Sequence, residues 1–571
     1  MKREYKAVVR ALGMIVGGAL IGAAAQADCP PGYVLDCLGN CGPAHWVDDS
    51  SCDDGSYQAS GNPIFFNCPQ WGFDGGDCDP DLWRPIFGAA VPSMAALDIA
   101  MLNLMNDKDI TAATMGVMKD GVVVYQRFFG WQDQARTEPL LSDTMMRVAS
   151  VTKPHTAACI RALIADGVIQ LNDNVFDVGQ PGGGLLDIEP FDGLGHPQLA
   201  NVTVDHCLRH RGGWNRNSTY GVGDLTYKEI EIKTALGQDA PPTPEQVCSW
   251  VLSQPLQHNP GATRAYSNVG FMVLGLIVEQ YAGKDPVEFL HERVLAPTGV
   301  LSAEVELGRT LPAMRHASEP WYDDQGKTGL NVFASLSDLA NNPDGQYVPR
   351  PDGAWCQEAR VGQGGLIMTP RALLHFLDNY QTAGDNIGIP RNKSTESTSW
   401  NWFHSGSLRT GTSSIAHQWG DGYNFVAIFN KTELDSDEQS YPAIMRDTFR
   451  TMMSNGTITV PDCPPGYVSD CNDNCVPAVW LGNGVCDTDT WFGSIEADFN
   501  CAQLNWDEGD CTPCPSDLDG NGEVDINDIL QVIADFGMCA DPSNCPSDFD
   551  GDGYVDIDDL LATIGAFGSC F

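Results

Sequence analysis

At 571 residues the chain exceeds the ~150 residues of one typical domain, and its 43% hydrophobic content, with 22 Phe, 15 Tyr and 14 Trp, excludes a wholly unstructured protein. Lysine and arginine total 32 against 75 acidic residues, a formal net charge of −43. Such a surface repels phosphate backbones and anionic lipid, so no nucleic-acid partner is expected.

Lys2, Arg3, Lys6 and Arg10 precede an apolar run, Ala11 to Ala25, and Ala25-Gln26-Ala27 offers small residues for cleavage. Residues 1–27 therefore read as a secretory signal. The run is shorter than the ~20 residues that span a bilayer, so no transmembrane anchor is expected after cleavage. A secreted, cell-surface or periplasmic location follows, and 20 cysteines in an exported chain point to disulfides.

Cysteines 29, 37, 41, 52, 68 and 78 have nearly the same spacing as 463, 471, 475, 486, 501 and 511, and both sets open Cys-Pro-Pro-Gly-Tyr-Val. One small module is used twice, over 28–80 and 459–513. So few residues bury little core, so three bridges per copy must stabilise each, in any of 15 pairings. The closing Asp74-Gly-Gly-Asp77-Cys78 and Asp507-Glu-Gly-Asp510-Cys511 resemble the end of Notch-type (LNR) cysteine repeats. That resemblance implies Asp74, Asp77, Asp507 and Asp510 as calcium ligands; an acidic disulfide knot without metal is the other reading.

Residues 81–458 are long enough for one large domain. Met94 to Leu104 has helical spacing, and Thr111 to Met118 and Val122 to Phe129 read as strands joined at Lys119-Asp120-Gly121. Cys159, Cys207, Cys248 and Cys356 lack metal-ligand spacing and are either buried thiols or bridges. Ser150-Val-Thr-Lys153-Pro154 precedes Ala157 to Ile169, which reads as a buried helix. Proline is tolerated only in a first helical turn, which places Ser150 at a helix start and Lys153 one turn away on the same face. Backbone N–H groups there favour developing negative charge, and a hydroxyl beside an amine can be activated as a nucleophile. Arg264-Ala-Tyr266-Ser-Asn268 follows, leading into an apolar helix over Gly270 to Tyr281. Gly364-Gly365-Leu366 comes next, and then His404-Ser-Gly-Ser407, ahead of a strand over Tyr423 to Phe429.

These elements, in this order, resemble the serine β-lactamase and penicillin-binding-protein superfamily, in the branch of class C β-lactamases, D-aminopeptidases and β-lactamase-like esterases. The resemblance implies an α/β (α+β) domain with an antiparallel sheet, helices on both faces, and a helical subdomain. It implies Ser150 as the acyl-enzyme nucleophile, Lys153 and Tyr266 in proton transfer, and Asn268 holding Lys153 and substrate. The main-chain N–H groups of Ser150 and Ser407 would form the oxyanion hole, with no cofactor in catalysis. His404 departs from the family's usual lysine and offers a hydrogen bond in place of a fixed charge. An esterase or an amide or peptide hydrolase acting on a small substrate therefore ranks above a true β-lactamase or DD-peptidase. A catalytically silent recognition or scaffold protein is the alternative of another class.

Residues 514–571 repeat with a period of 31, and no Lys or Arg follows Arg450. Oxygen-bearing side chains recur at loop positions suited to a hard cation: Asp517, Asp519, Asn521, Glu523, Asp525 and Asp528, then Asp548, Asp550, Asp552, Tyr554, Asp556 and Asp559, positions 523 and 554 serving through their carbonyls. Glycine at the sixth position makes the turn. Ile529, Leu530 and Ile533, then Leu560, Leu561 and Ile564, predict a short helix with one apolar face behind each loop. With Asp at position 12 and no full helix before the first loop, the pair resembles a dockerin. That resemblance implies structural calcium and a cohesin-like protein partner, although Ile526-Asn527 and Ile557-Asp558 replace the usual recognition pair.

Overall fold

Asp120 and Gly121 both have positive φ, 49° and 92°, the geometry in which a two-residue turn follows the twist of its strands. The hairpin they close lies inside a six-stranded antiparallel sheet. In chain order the strands are β1 (Ile86–Phe87), β2 (Ala112–Lys119), β3 (Val122–Gly130), β4 (Met146–Arg147), β5 (Val305–Leu307), β6 (Leu366–Met368), β7 (Asn401–Leu408), β8 (Thr412–Trp419) and β9 (Tyr423–Phe429). The large sheet runs β7-β8-β9-β2-β3-β1, and β4-β6-β5 form a smaller one. This computed structural model describes residues 29–37, 40–59, 62–78, 82–178, 182–217, 224–408, 410–434, 439–471, 474–481, 487, 490–492, 495–499, 504, 516, 518, 523–538, 545–549 and 554–569. They fall into two units, divided between Trp83 and Arg84.

The large sheet is covered on both faces, which explains why β2 and β9 are apolar almost throughout instead of alternating. Helices α1 (Ala95–Asp107), α2 (Thr152–Ala165), α3 (Val204–Leu208), α4 (Asn268–Ala282), α5 (Pro370–Asn379) and α6 (Tyr441–Ser454) supply the cover and the helical part of the domain. Met101 and Met105 of α1 and Phe449 of α6 pack with Met115, Val117 and Phe425 on one face. Val426 and Ile428 face the other way, into a core shared with Leu373 and Leu377 of α5 and with α2 and α4. Each such side chain contributes about 1.5–3 kcal/mol by leaving water. A buried ion pair, Arg127 Nη2 to Asp98 Oδ2 at 3.0 Å with the Tyr125 hydroxyl on Asp98, joins α1 to β3.

The predicted elements are present, most with shifted ends. The helix expected over Ala157 to Ile169 starts at Thr152 and stops at Ala165, because Pro154 falls within its first turn. The one expected over Gly270 to Tyr281 begins two residues early, capped by the Ser267 hydroxyl, and ends at Gly283 with φ 68°. Cys159, Cys207, Cys248 and Cys356 are buried free thiols.

In the first unit Cys29–Cys41, Cys37–Cys68 and Cys52–Cys78 select one pairing from the 15. Cys463–Cys475 repeats the first of these bridges in the second module, where Cys471 is also disulfide-bonded. In the tail, helices α7 (Ile526–Ala534) and α8 (Ile557–Gly565) occupy the two predicted positions. Val532 and Val555 are buried, whereas Leu530, Ile533, Leu561 and Ile564 are about half exposed. The short strands pair across the repeat, Glu523–Val524 with Gly568–Ser569 and Gly537–Met538 with Tyr554–Val555, so a small internal core leaves the outer helix faces free of it. Among the described residues, no helix is long and apolar enough to cross a membrane. The expected signal and the candidate calcium ligands Asp507, Asp510, Asp517, Asp519, Asn521, Asp550 and Asp552 lie outside the described residues.

Candidate active site

Ser150 sits in a 3-10 turn, Ala149–Val151, that connects β4 to α2. The residue before it, Ala149, has φ 47°, a left-handed conformation that costs a residue with a Cβ about 1–2 kcal/mol. The surrounding structure holds this strain: Val148 N–H bonds to the Leu366 carbonyl of β6 at 3.1 Å, and the Ser414 hydroxyl of β8 bonds to the Val148 carbonyl at 2.8 Å. From that turn the Ser150 hydroxyl opens into a cleft of about 630 Å³, lined also by Tyr266, Asn268, His404 and Ser407.

Lys153 is fully buried, with Nζ 3.1 Å from Ser150 Oγ and 2.6 Å from the Gln363 carbonyl. A carbonyl only accepts, so one ammonium or amine hydrogen is committed there and the remaining valence of Nζ is aimed at the serine. Burial, and then the nearby Arg216 and Arg360 charges, hold the amine well below the usual lysine range; Asp224 opposes them. The Tyr266 ring lies 5.0 Å from Lys153 Nζ, and its phenol is pushed up to about 12 by burial, so it is protonated at neutral pH. Its ring stacks on His210 at 4.5 Å and lies under the Arg216 guanidinium at 4.3 Å.

Asn268 differs from the expectation. Its side-chain amide donates to Asp224 Oδ2 at 2.6 Å, and Lys153 finds its partners in Ser150 and in the Gln363 main chain. Asn268 heads α4, and there its amide is committed to the 224 carboxylate. Gln363 precedes the Gly364-Gly365 pair and links the two sides of the site. With its amide turned so that both ends are paired, it donates to the Asn268 carbonyl at 2.9 Å and accepts from Arg360 Nη1 at 3.3 Å. Arg360 is fixed in turn by buried Glu229 at 2.6 Å and by the Tyr227 ring at 3.7 Å.

His404 and Ser407 lie on β7, the strand at the edge of the large sheet, across the cleft from Tyr266. His404 Nδ1 is 3.0 Å from the Ser405 carbonyl, so Nδ1 carries the proton and Nε2 is left as an acceptor. Removal from water, and then the Lys153 charge, hold this imidazole below its usual range, at about 3. The Ser407 hydroxyl is engaged with Thr432 at 2.9 Å, and the residue lines the cleft. Sequence reasoning missed Arg216, Asp224, Gln363, Arg360 and Glu229. Only Gln363 had a signal, its position beside the Gly-Gly pair.

The sheet with its two helical covers and the Ser150–Lys153–Tyr266 cluster define a β-lactamase-like domain. The Beta-lactamase family model matches residues 97–429, and the chain belongs to that family. It is 27% identical over 273 residues to Esterase EstB of Burkholderia gladioli, covering 47% of this chain and 62% of that protein. It is 26% identical over 212 residues to the D-aminopeptidase of Brucella anthropi, covering 37% of this chain and 36% of that one. The chain thus spans less than two thirds of the length of either relative. The D-amino acid amidase of Ochrobactrum anthropi SV3 superposes with a TM-score of 0.43 at 18% identity, over 63% of this chain and 99% of that one.

Proposed function

We propose that the protein is an exported serine hydrolase that cleaves small esters or amides through an acyl-enzyme on Ser150. The observation that carries this reading is the 3.1 Å contact between the Ser150 hydroxyl and a buried Lys153 whose amine is depressed. Neutral Lys153 takes the Ser150 proton as Oγ bonds to the acyl carbon. The resulting oxyanion is held by the main-chain N–H groups of Ser150 and Ser407, each contributing about 3–4 kcal/mol. Collapse breaks the bond to the leaving group, which takes its proton from the Tyr266 phenol, and the Lys153 proton restores Tyr266. Water then releases the acid by the same route in reverse. His404 Nε2 suits a donor on the substrate.

The test is fluorophosphonate labelling followed by peptide mapping. The expected result is one adduct per chain, on the peptide that contains Ser150. A well-folded protein without an adduct would favour the silent scaffold. Hydrolysis of short-chain esters, D-amino-acid amides and a cephalosporin then ranks esterase, peptidase and β-lactamase.

The disulfides support export. In the tail, Leu530 and Leu561, Ile533 and Ile564, and Phe536 and Phe567 are exposed in matching pairs, which supports attachment to a cohesin-like partner. Calcium is proposed at two places. In the first module Asp74 is fully buried with Oδ1 unpaired. In the tail loops the position-12 acids already draw the loop ends together: Asp528 accepts from Leu518 and Asp525 N–H at 2.7 and 2.8 Å, and Asp559 from Phe549 and Asp556 N–H at the same distances. Bound calcium would neutralise acids in a tail that has no basic residue. Excess chelator is therefore expected to lower the melting temperature and expand residues 459–571; an unchanged circular dichroism spectrum and melting temperature would discard this role.

A further inference from the structure

The cleft is basic in a protein that is strongly acidic. Three arginines, Arg216, Arg264 and Arg360, line it, against one carboxylate, Asp224. Arg360 is ion-paired with Glu229 at 2.6 Å, while Asp224 accepts from the neutral Asn268 amide at the same distance and keeps its charge. Arg216 and Arg264 have no carboxylate partner among the described residues, whereas most other described arginines are ion-paired. Residues 218–223, which follow Arg216 closely, are Ser-Thr-Tyr-Gly-Val-Gly and contain no charge. With 75 acidic residues against 32 basic ones, two cleft-lining arginines without an ion-pair partner among the described residues need a chemical explanation.

Arg216 lies close to the reacting atoms, and Arg264 lines the same cleft. The Arg216 guanidinium is 4.3 Å from the centre of the Tyr266 ring, and the Lys153 amine is 5.0 Å from that ring. Arg264, two residues before Tyr266, acts electrostatically on His210, which stacks on that same ring. On the opposite wall the His404 side chain offers a carboxylate no donor. His404 there presents a lone pair at Nε2, because its one ring proton points at the Ser405 carbonyl. A planar guanidinium offers paired N–H donors that match the two oxygens of a carboxylate.

We infer that Arg216 and Arg264 form an anion clamp that selects substrates bearing a carboxylate near the scissile acyl group. This inference rests on the serine-hydrolase reading above. The clamp supplies from the helical side of the cleft the fixed positive charge that β7 does not provide.

The experiment compares kcat/KM for matched p-nitrophenyl esters, neutral butyrate against the monoester of glutaric acid, and for phenyl acetate against 3-carboxyphenyl acetate. The two pairs place the carboxylate on the acyl side and on the leaving-group side. At least one charged ester is expected to exceed its neutral counterpart by about tenfold, an advantage that shrinks with added salt because exposed charges are screened. Arg264→Gln is expected to cut that ratio several-fold, Arg264→Lys to restore part of it, and Arg216→Gln with Arg264→Gln to bring it to about one. Arg264 is exposed, so its variants test the clamp even if changing Arg216 disturbs folding. Equal efficiency in both pairs, or a preference that survives the double substitution, would overturn the clamp. So would failure to turn over either charged ester while Ser150 still takes up fluorophosphonate. Loss of labelling as well would instead remove the hydrolase reading beneath it.

Discussion

Lys153→Met is expected to slow acylation of Ser150 by about 10³-fold while leaving the fold intact, since methionine fills much of the same buried volume without an amine. The loss comes from the base alone: Tyr266, whose phenol stands at about 12, cannot take the serine proton near neutrality. The same substitution should raise stability, and the sign follows from proton binding. In the folded protein the amine is depressed well below its ordinary value, so between the two values the unfolded chain binds more protons. Stability then rises with pH through that window and is lost as pH falls through it. Removing the amine removes this penalty, so Lys153→Met should melt higher than the parent, and more so at pH 5 than at pH 9. Wild-type activity should likewise fall on the acid side as Lys153 takes up its proton, with the variant showing no such limb. Stopped-flow acylation and calorimetry across pH check both; wild-type-like acylation would take Lys153 out of the mechanism.

What could be read from the residues was local. A serine and a lysine three apart before a proline fix a helical turn, and the structure puts their functional atoms 3.1 Å apart. Asp-Gly between two apolar runs fixed the β2–β3 turn, and the strand over Tyr423 to Phe429 has the predicted ends. The groups that tune the amine were not legible. Glu229 reaches Arg360 across 131 positions, and Arg360 reaches Lys153 only through Gln363, so neither spacing nor periodicity announces them. Asn268 shows the same limit from the other side: its place in a motif was visible, but its bond to Asp224 depends on a loop whose course the sequence leaves open. In the tail, apolar residues at i, i+1 and i+4 predicted both helices and an apolar face on each, but not which apolar residues are buried. The cross-repeat strand pairs bury Val532 and Val555.

Gly406→Ala is expected to reduce kcat by about 10²–10³ with little change in KM, and to cost about 1–3 kcal/mol of stability. A methyl group at 406 would stand 2.3 Å from the Val148 carbonyl, 2.4 Å from Ser414 Oγ and 3.0 Å from the Ser150 main-chain N. Two of these three are main-chain atoms of the nucleophile's turn. That turn is already held at a strained φ by Ala149 and pinned to β6 and β8, so it cannot retreat. β7 is the edge strand and can move outward. Such a shift carries the Ser407 N–H away from the Ser150 N–H and opens the space where the oxyanion would form. The ground-state carbonyl loses little, because the donors are placed for the charged intermediate, so the defect should appear in kcat. Fluorophosphonate labelling should slow in parallel, since its phosphoryl oxygen develops charge at the same position. A variant with unchanged kcat and unchanged labelling would show that β7 does not contribute an oxyanion donor.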